Sequence, residues 1–249
     1  MSKARATAAS EPTAVDLLRR ATLARTAGLR AKYATRGLAQ RGADRTTQAM
    51  LMRQLYLAHM EARRFEQALA VAEQMIDLGV MPDVARQDAA RACLGLDRSD
   101  AAVEHLRIAS RVGPASRRAF HLWTLGSTLY LLGRNREAAG ALARALRWGT
   151  TAKPLYAAQL ALARHAAGDP VQARGFAELR ERLAEAPCGQ GYGQFVLGEL
   201  AFHSGDHPAA RQYLDGFVRR TTSGRVALAV ALTGEIFRAR ELLRSLRER

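Results

Sequence analysis

AFHLWTLGSTLYLLGRNREAAGALARALRWGTTA, residues 119–152, is the stretch that decides the fold. On both sides of Gly133, small and apolar residues recur at offsets of three, four and seven, which place them on one face of a helix. They are Leu122, Leu125, Gly126 and Leu129 before the glycine, and Ala138, Leu142 and Ala145 after it. Because glycine accepts the left-handed backbone that ends a helix, the stretch predicts a helix, a short turn at Gly133 and a second helix.

The alanine of that second helix has counterparts along the whole chain. Their spacings are 34, 34, 36, 35, 37 and 29 residues, and they are Ala34, Ala68, Ala102, Ala138, Ala173, Ala210 and Ala239. A period in this range is typical of a helical solenoid, in which no single repeat can bury its own apolar face and stacked neighbours share one core. The sequence therefore predicts an all-α repeat protein.

Residues at other fixed offsets from the alanine recur with the same period. The slot five residues before it holds glycine in the last four units and other residues in the first three: Gly133, Gly168, Gly205 and Gly234, against Leu29, Arg63 and Asp97. At the glycines we expect a left-handed turn between the helices. Gly126 and Gly198 stand twelve residues before the alanine, and Leu142 and Leu214 stand four after it. We expect the paired helices to cross closely at these glycines, with the leucines filling the space beside them.

This pattern resembles the tetratricopeptide repeat (TPR) family over about residues 14–249. The family's signature types are clearest in residues 119–152 and recur in residues 191–222 and, from Asp83, up to Pro114. The resemblance implies a right-handed α-solenoid of about six to seven helix-turn-helix repeats.

The limits of the repeat domain are predicted from the places where the repeat pattern becomes weaker. Residues 14–48 form a degenerate, basic first unit, and residues 223–249 a short capping unit that lacks about five residues, most simply in its first helix. Residues 1–13 have no repeat pattern, and we expect a disordered N-terminal tail there.

The amino-acid composition indicates the cellular location of the protein. The chain has 249 residues and two cysteines, which cannot make a disulfide framework, so we expect packing for Cys93 and a cytoplasmic location. It contains no run of about 18 apolar residues, which predicts no transmembrane segment. The N-terminus also lacks the apolar core of a secretory signal.

The net charge of +15 is concentrated near the N-terminus, where residues 1–48 hold ten Lys and Arg against three Asp and Glu. A basic patch is predicted there, formed by Arg19, Arg20, Arg25, Arg30, Lys32, Arg36 and Arg41. Such a patch would attract an acidic protein, nucleic acid or an anionic membrane surface. The alternative is genome composition, since 35 arginines against three lysines are typical of a bacterium with a high-GC genome. Only Tyr33 is interleaved with these arginines, which disfavours a nucleic-acid stacking surface.

The family resemblance also implies a concave groove lined by the first helix of each repeat. Carried over to this chain, the partner-binding positions are Arg53, Gln87, Arg91, Phe120, Trp123, Ser127, Tyr130, Gln159, His165, Tyr192, Phe195, Glu199 and Phe202. Clustered aromatic rings are typical of binding hot spots, although any of them could instead pack against a neighbouring repeat.

The residues of the groove indicate which kind of partner segment it could bind. Family members that clamp a terminal carboxylate use Lys, Asn and Arg in the groove, whereas the single asparagine, Asn135, and all three lysines lie outside it here. An apolar or amphipathic helical segment, or an extended peptide with aromatic anchors, suits the groove better, and an acidic character of this segment stays open.

Catalytic and metal sites find little support. Glu199 and His203 share a helix face, but Asp206 and His207 follow Gly205 in a predicted turn, and no HExxH motif is present. The glycine-rich residues 188–193 lack the lysine and the preceding strand of a phosphate-binding loop. We therefore expect no catalytic residue, metal or cofactor.

The sequence thus predicts a non-catalytic adaptor or scaffold that binds a protein segment in an aromatic groove. Two alternatives stay open: a secretion-type chaperone for an exported protein, and a nucleic-acid or anionic-surface binder acting through the basic region. Neither the partner nor the oligomeric state is fixed by the residues.

Overall fold

The computed structural model describes residues 11–248, and within this range every regular element is helical. A 3-10 turn at Pro187–Gly189 follows the tenth of fourteen α-helices. The helices are α1 Ala14–Leu23, α2 Ala27–Leu38, α3 Arg45–Glu61, α4 Phe65–Leu78, α5 Pro82–Gly95, α6 Ser99–Val112, α7 Ala115–Leu131, α8 Asn135–Trp148, α9 Lys153–Ala166, α10 Ala173–Glu185, α11 Gly193–His203, α12 His207–Ser223, α13 Val226–Ala231 and α14 Thr233–Ser245.

The helices fall into two compact units, residues 11–80 with α1–α4 and residues 81–248 with α5–α14. In each unit, helices that are consecutive in sequence pack against each other. The predicted tail, residues 1–13, lies mostly outside the described residues. Its last residue, Thr13, caps α1, because its hydroxyl accepts from the Asp16 N–H and the Asp16 carboxylate accepts from the Thr13 N–H.

The periodic alanine marks the buried side of the second helix in each pair. Six of the seven alanines have no exposed surface: Ala34, Ala68, Ala102, Ala138, Ala210 and Ala239. The prediction is wrong at Ala173, which is exposed. Helix α10 begins at Ala173 itself, after irregular residues 169–172, whereas α4, α6, α8 and α12 each begin three residues before their alanine. The buried residues of α10 are Phe176, about one turn after Ala173, and Leu183.

The predicted left-handed turns occur at Gly133, Gly168 and Gly205, with φ of 73°, 99° and 83°. Arg63 and Asp97, in the same slot of earlier units, have φ of 55° and 57° although they carry side chains. The backbone geometry of the turn is therefore kept even without glycine. The prediction is wrong at Gly234, the second residue of α14, because the last pair turns instead at Leu232 between α13 and α14.

The close helix crossings are confirmed. A Cβ atom added to Gly126 in α7 would come within 2.6 Å of Cγ of Leu142 in α8. In α11, Gly198 has the same relation to Leu214 of α12, also at 2.6 Å. An added methyl group would overlap the leucine unless the helices shift, so both crossings favour glycine.

The last helix departs from pairwise packing. Helix α14 contacts α13, but also α12, α11 and α7, so it touches the first helices of two non-adjacent pairs. Its C-terminal end packs through Leu246 on Ala201 of α11 and Ala210 of α12. Near its N-terminal end, Gly234 lies close to the side chain of Leu131 of α7.

Candidate protein-interaction surface

The candidate surface lies on one side of α7, α9 and α11, and we call it the inner face. Its residues are Phe120, Trp123, Ser127 and Tyr130 of α7, Gln159 of α9, Tyr192 just before α11, and Glu199 of α11. All of these residues lie in the second unit.

A buried glutamine connects the three helices of the inner face. The Oε1 of Gln159 in α9 accepts hydrogen bonds from Nε1 of Trp123 and, at 2.9 Å, from the hydroxyl of Ser127, both in α7. Its Nε2 donates to the hydroxyl of Tyr192, just before α11, at 3.1 Å. Three residues that the sequence predicted to face a partner therefore hold one another in place through Gln159.

Aromatic rings form a continuous row along the inner face. Ring centroids are 5.6 Å apart from Phe120 to Trp123, 5.0 Å from Trp123 to Tyr192 and 5.9 Å from Tyr192 to Phe195. Phe120 is 41% exposed, whereas Phe195 is fully buried and packs on Phe217 of α12 at 5.4 Å. A partner could therefore reach the Phe120 end of the row, and Phe195 only supports it from inside.

Glu199 is the most unusual residue of the inner face, because its carboxylate is completely buried. Its Oε1 accepts from the Tyr130 hydroxyl at 3.1 Å and from Nε of Arg238 in α14 at 3.3 Å. Its Oε2 has no hydrogen-bond partner among residues 11–248. Burial raises the pKa of Glu199 to about 7, although Arg238 and Tyr130 act in the opposite direction. Burial also raises the pKa of Tyr130.

A second buried carboxyl comes from α14. Glu235 has its pKa raised to about 7, mainly by burial, while a hydrogen bond with Tyr192 and the charge of Arg91 lower it. Tyr130, Tyr192 and Glu199 thus meet a helix, as the groove interpretation anticipated for a partner, but this helix is the chain's own α14.

The other predicted groove residues take varied positions. Gln87 is buried and donates to the hydroxyl of Thr124 at 3.3 Å, and Arg91 lies 3.5 Å from the carboxylate of Asp88. Arg53 is half-buried in α3 of the first unit. Partner contact at these positions stays a prediction.

A histidine and aromatic cluster lies at the ends of α9 and α11. His165 packs edge-on against His203 at 4.8 Å and against Phe176 at 5.2 Å, and Phe202 contacts His203 at 5.4 Å. Burial, together with the charge of neighbouring groups such as His165, lowers the pKa of His203 to about 4. The two predicted groove residues of this cluster, His165 and Phe202, are both half-buried.

Sequence reasoning missed an ion-paired cluster that joins α5 to α7. Asp83, buried in the first turn of α5, accepts from Nε and Nη2 of Arg117 at 2.7 and 3.0 Å. Its Oδ2 also lies 2.8 Å from Nε2 of His121. Burial alone would raise the pKa of Asp83, but the hydrogen bonds with Arg117 and His121 together outweigh it and lower this pKa. One signal was available: Asp83 and Arg117 are 34 residues apart, one repeat.

The predicted basic patch is exposed at six of its seven positions, Arg19, Arg20, Arg25, Lys32, Arg36 and Arg41. Arg30 is different, because its guanidinium lies 2.5 Å from the carboxylate of Glu61 and donates to the carbonyl of Ala24. Arg30 therefore holds α2 to α3 within the first unit.

The four acidic and histidine residues near Gly205 do not converge. Asp206 caps α12 by accepting from the Ala209 N–H and pairs with Arg180 at 2.6 Å, whereas Glu199 faces α14. Within residues 11–248 there is no group of three or more His, Cys, Asp or Glu that could hold a metal ion. An open cleft of about 540 Å³ lies elsewhere, beside α6, α7 and α8, and Arg107 and Glu137 form an ion pair at its edge.

The described part of the chain contains no helix that is both long and apolar enough to cross a membrane. No family model matches the sequence, and no curated protein matches it. Among solved structures, the chain is similar to the C-terminal part of a TPR repeat-containing protein from Cytophaga hutchinsonii, with a TM-score of 0.52 and 11% identity over 94% of each chain. The fold is TPR-like. At this identity the likeness concerns the fold alone.

Proposed function

We propose that this protein is a non-catalytic adaptor that binds a segment of another protein on the inner face of α7, α9 and α11. The aromatic row supports the proposal most directly. It runs from exposed Phe120 through half-buried Trp123 and Tyr192, so a partner could contact rigid rings that are already fixed in position. Preorganised aromatic side chains contribute much of the binding energy at protein interfaces and lose little entropy on binding. We place the adaptor in the cytoplasm.

Affinity purification from the native cell tests this proposal. Phe120→Ala and, separately, Trp123→Ala should each lose at least one protein that co-purifies with the wild-type chain. The matched control is Trp148→Ala, which removes a 52% exposed tryptophan of α8 that packs beside Arg118, away from the inner face. Variants with wild-type circular dichroism that keep every partner would contradict the proposal. If the captured partner is an exported protein, the same surface serves a secretion-type chaperone.

The exposed arginines of α1 and α2 favour a second candidate, binding to a nucleic acid or an anionic surface. Six predicted basic residues are exposed, so their charges are available to phosphate groups. Changing Arg19 and Arg20 together to Ala should weaken binding to duplex DNA or anionic vesicles and reduce its salt dependence. If the double variant keeps the wild-type affinity and salt dependence between about 50 and 200 mM salt, the patch is excluded as the binding site.

A further inference from the structure

Helix α14 carries the pattern of a groove ligand. Its buried side holds Ile236, Ala239, Leu242 and Leu243, with Glu235 at the edge, and the half-buried Arg238 reaches Glu199 from the same side. The opposite side is solvent-exposed and includes Phe237, at 61%, and Arg240. Amphipathic helices that dock in grooves present this arrangement of apolar anchors with a few polar contacts.

The fit between α14 and the inner face is incomplete at Glu199. Arg238 donates only Nε to Oε1, at the long distance of 3.3 Å, and the buried Oε2 has no hydrogen-bond partner within the described chain. A buried acceptor without a partner destabilises the folded state, because it has lost its hydrogen bonds to water. A guanidinium that approached both oxygens in parallel would make two charge-assisted hydrogen bonds instead of one.

The segment before α14 holds it loosely. Helix α13 has six residues, too few to be stable as an isolated helix, and buries only Val230. Its Val226 and Leu228 are 57% and 49% exposed. The short α13 therefore adds little to the packing that keeps α14 in place.

From these observations we propose that α14 is a displaceable occupant of the inner face, and that the partner is a basic amphipathic helix whose arginine replaces Arg238 at Glu199. This inference rests on the adaptor function proposed above and specifies its partner. The partner helix needs an apolar seam like that of α14 and one arginine that can approach both oxygens of Glu199.

The test uses the full chain and a fluorescein-labelled peptide of residues 231–248, ALTGEIFRARELLRSLRE, as the probe. Wild-type protein should bind the peptide weakly, because its own α14 occupies the site. Arg238→Ala combined with Leu242→Ala, which loosens α14, should bind it at least about tenfold more tightly by fluorescence anisotropy. Arg240→Ala, on the exposed side of α14, is the matched control and should bind like wild type.

The role of Glu199 is tested with a second peptide that carries Arg238→Ala. It should bind the loosened protein about tenfold more weakly than the first peptide. Adding Glu199→Gln to the loosened full-length protein should abolish the difference in affinity between the two peptides. If the double variant does not fold, Arg238→Ala alone serves in its place.

Three outcomes would overturn the inference: equal peptide binding by wild-type and loosened protein, equal binding of the two peptides, or a loosened chain that forms a dimer instead of taking the peptide. The dimer would identify a second copy of α14 as the occupant. None of these outcomes alters the purification result for Phe120 and Trp123, so a failed inference can be told apart from a failed adaptor function.

Discussion

The helix pairs α7–α8 and α11–α12 are built alike and differ in what their inner sides contact. An offset of 72 residues relates Gly126 to Gly198 and Leu142 to Leu214. At both crossings a Cβ added to the glycine would lie 2.6 Å from the leucine side chain. The same offset relates Ser127 to Glu199. The crossing is thus conserved between the two pairs while the inner residue changes.

That single change determines the hydrogen-bond partner of the inner residue in each pair. Ser127 is satisfied by Gln159 of the next pair, because a hydroxyl needs only a nearby amide. Glu199 brings a buried carboxylate, which needs a donor of opposite charge and finds Arg238 in α14. The repeat geometry therefore fixes where an inner residue lies, and its chemistry selects its neighbour.

The largest effect is expected at the shared crossings. Gly126→Ala and Gly198→Ala should each lower the free energy of unfolding by about 1–3 kcal/mol, because the new methyl group overlaps Leu142 or Leu214. Urea unfolding followed by circular dichroism measures this. Gly140→Ala is the control: it lies in α8 with nothing within 4 Å of the added Cβ, so it should stabilise by about 0.5–1 kcal/mol. A neutral result at either crossing would break the equivalence of the two pairs.

The turns of the two pairs should respond almost equally. Gly133→Ala and Gly205→Ala each place a side chain at positive φ, with no nearby atom to clash, so the cost is backbone strain of about 1–2 kcal/mol. Thermal unfolding of the two variants gives the comparison. If the losses of stability of the two variants differ by more than about 1–2 kcal/mol, the two turns are not equivalent.

The pH dependence of folding stability should differ between changes made in the two helix pairs. The raised pKa of Glu199, about 7, means that its stabilising contribution is complete below the unfolded value near 4.5 and is lost as pH rises through 7. Between pH 8 and 6.5, wild-type stability should therefore increase by roughly 0.5–1 kcal/mol for this carboxyl, with Glu235 acting in the same direction. Glu199→Gln should flatten the slope, and Ser127→Ala should leave it unchanged.

Below pH 6.5 the slope should weaken. His203 has its pKa lowered to about 4, so its contribution is present above the unfolded value of 6.5 and is lost as pH falls towards 4. It therefore opposes the two carboxyls in this range. Urea titrations from pH 8 to 5 cover both ranges, and a Glu199→Gln protein with the wild-type slope would contradict the assignment.

The smallest effect is expected outside the two pairs, at Asp97. This residue occupies the turn slot of Gly133 with φ of 57°, so Asp97→Gly should relieve strain and stabilise by about 0.5 kcal/mol. The corresponding change Leu29→Gly should instead destabilise, since Leu29 lies within α2. Differential scanning calorimetry of both variants would show whether the turn geometry or the residue type decides the sign.

The period predicted the parts of the fold that repeat. Ala138 and Gly133 recur in enough units for their local roles to be inferred from spacing, because each role depends on neighbouring helices of one pair. The pattern misled where a pair is irregular, at Ala173, where α10 starts late, and at Gly234, where α13 is short.

The inner face was less accessible to sequence reasoning. The positions of Tyr130, Gln159 and Glu199 were inferred from the resemblance, but not what they would contact. Arg238 is 39 residues from Glu199, beyond any local spacing rule, and its position depends on how α14 packs. Burial of a carboxylate also opposes the usual preference for exposed charge, so composition could not have indicated it.

The contacts of α14 bear on how the second unit folds. Linear repeat arrays have only nearest-neighbour interactions and can unfold from an end, one repeat at a time. Here Tyr130 and Glu199 are 69 residues apart, and α14 reaches back to α7. Such long-range contacts raise the contact order, which slows folding and joins separate repeats into one cooperative step. The second unit should therefore fold more slowly, and unfold more nearly in a single transition, than an array of independent helix pairs of its size.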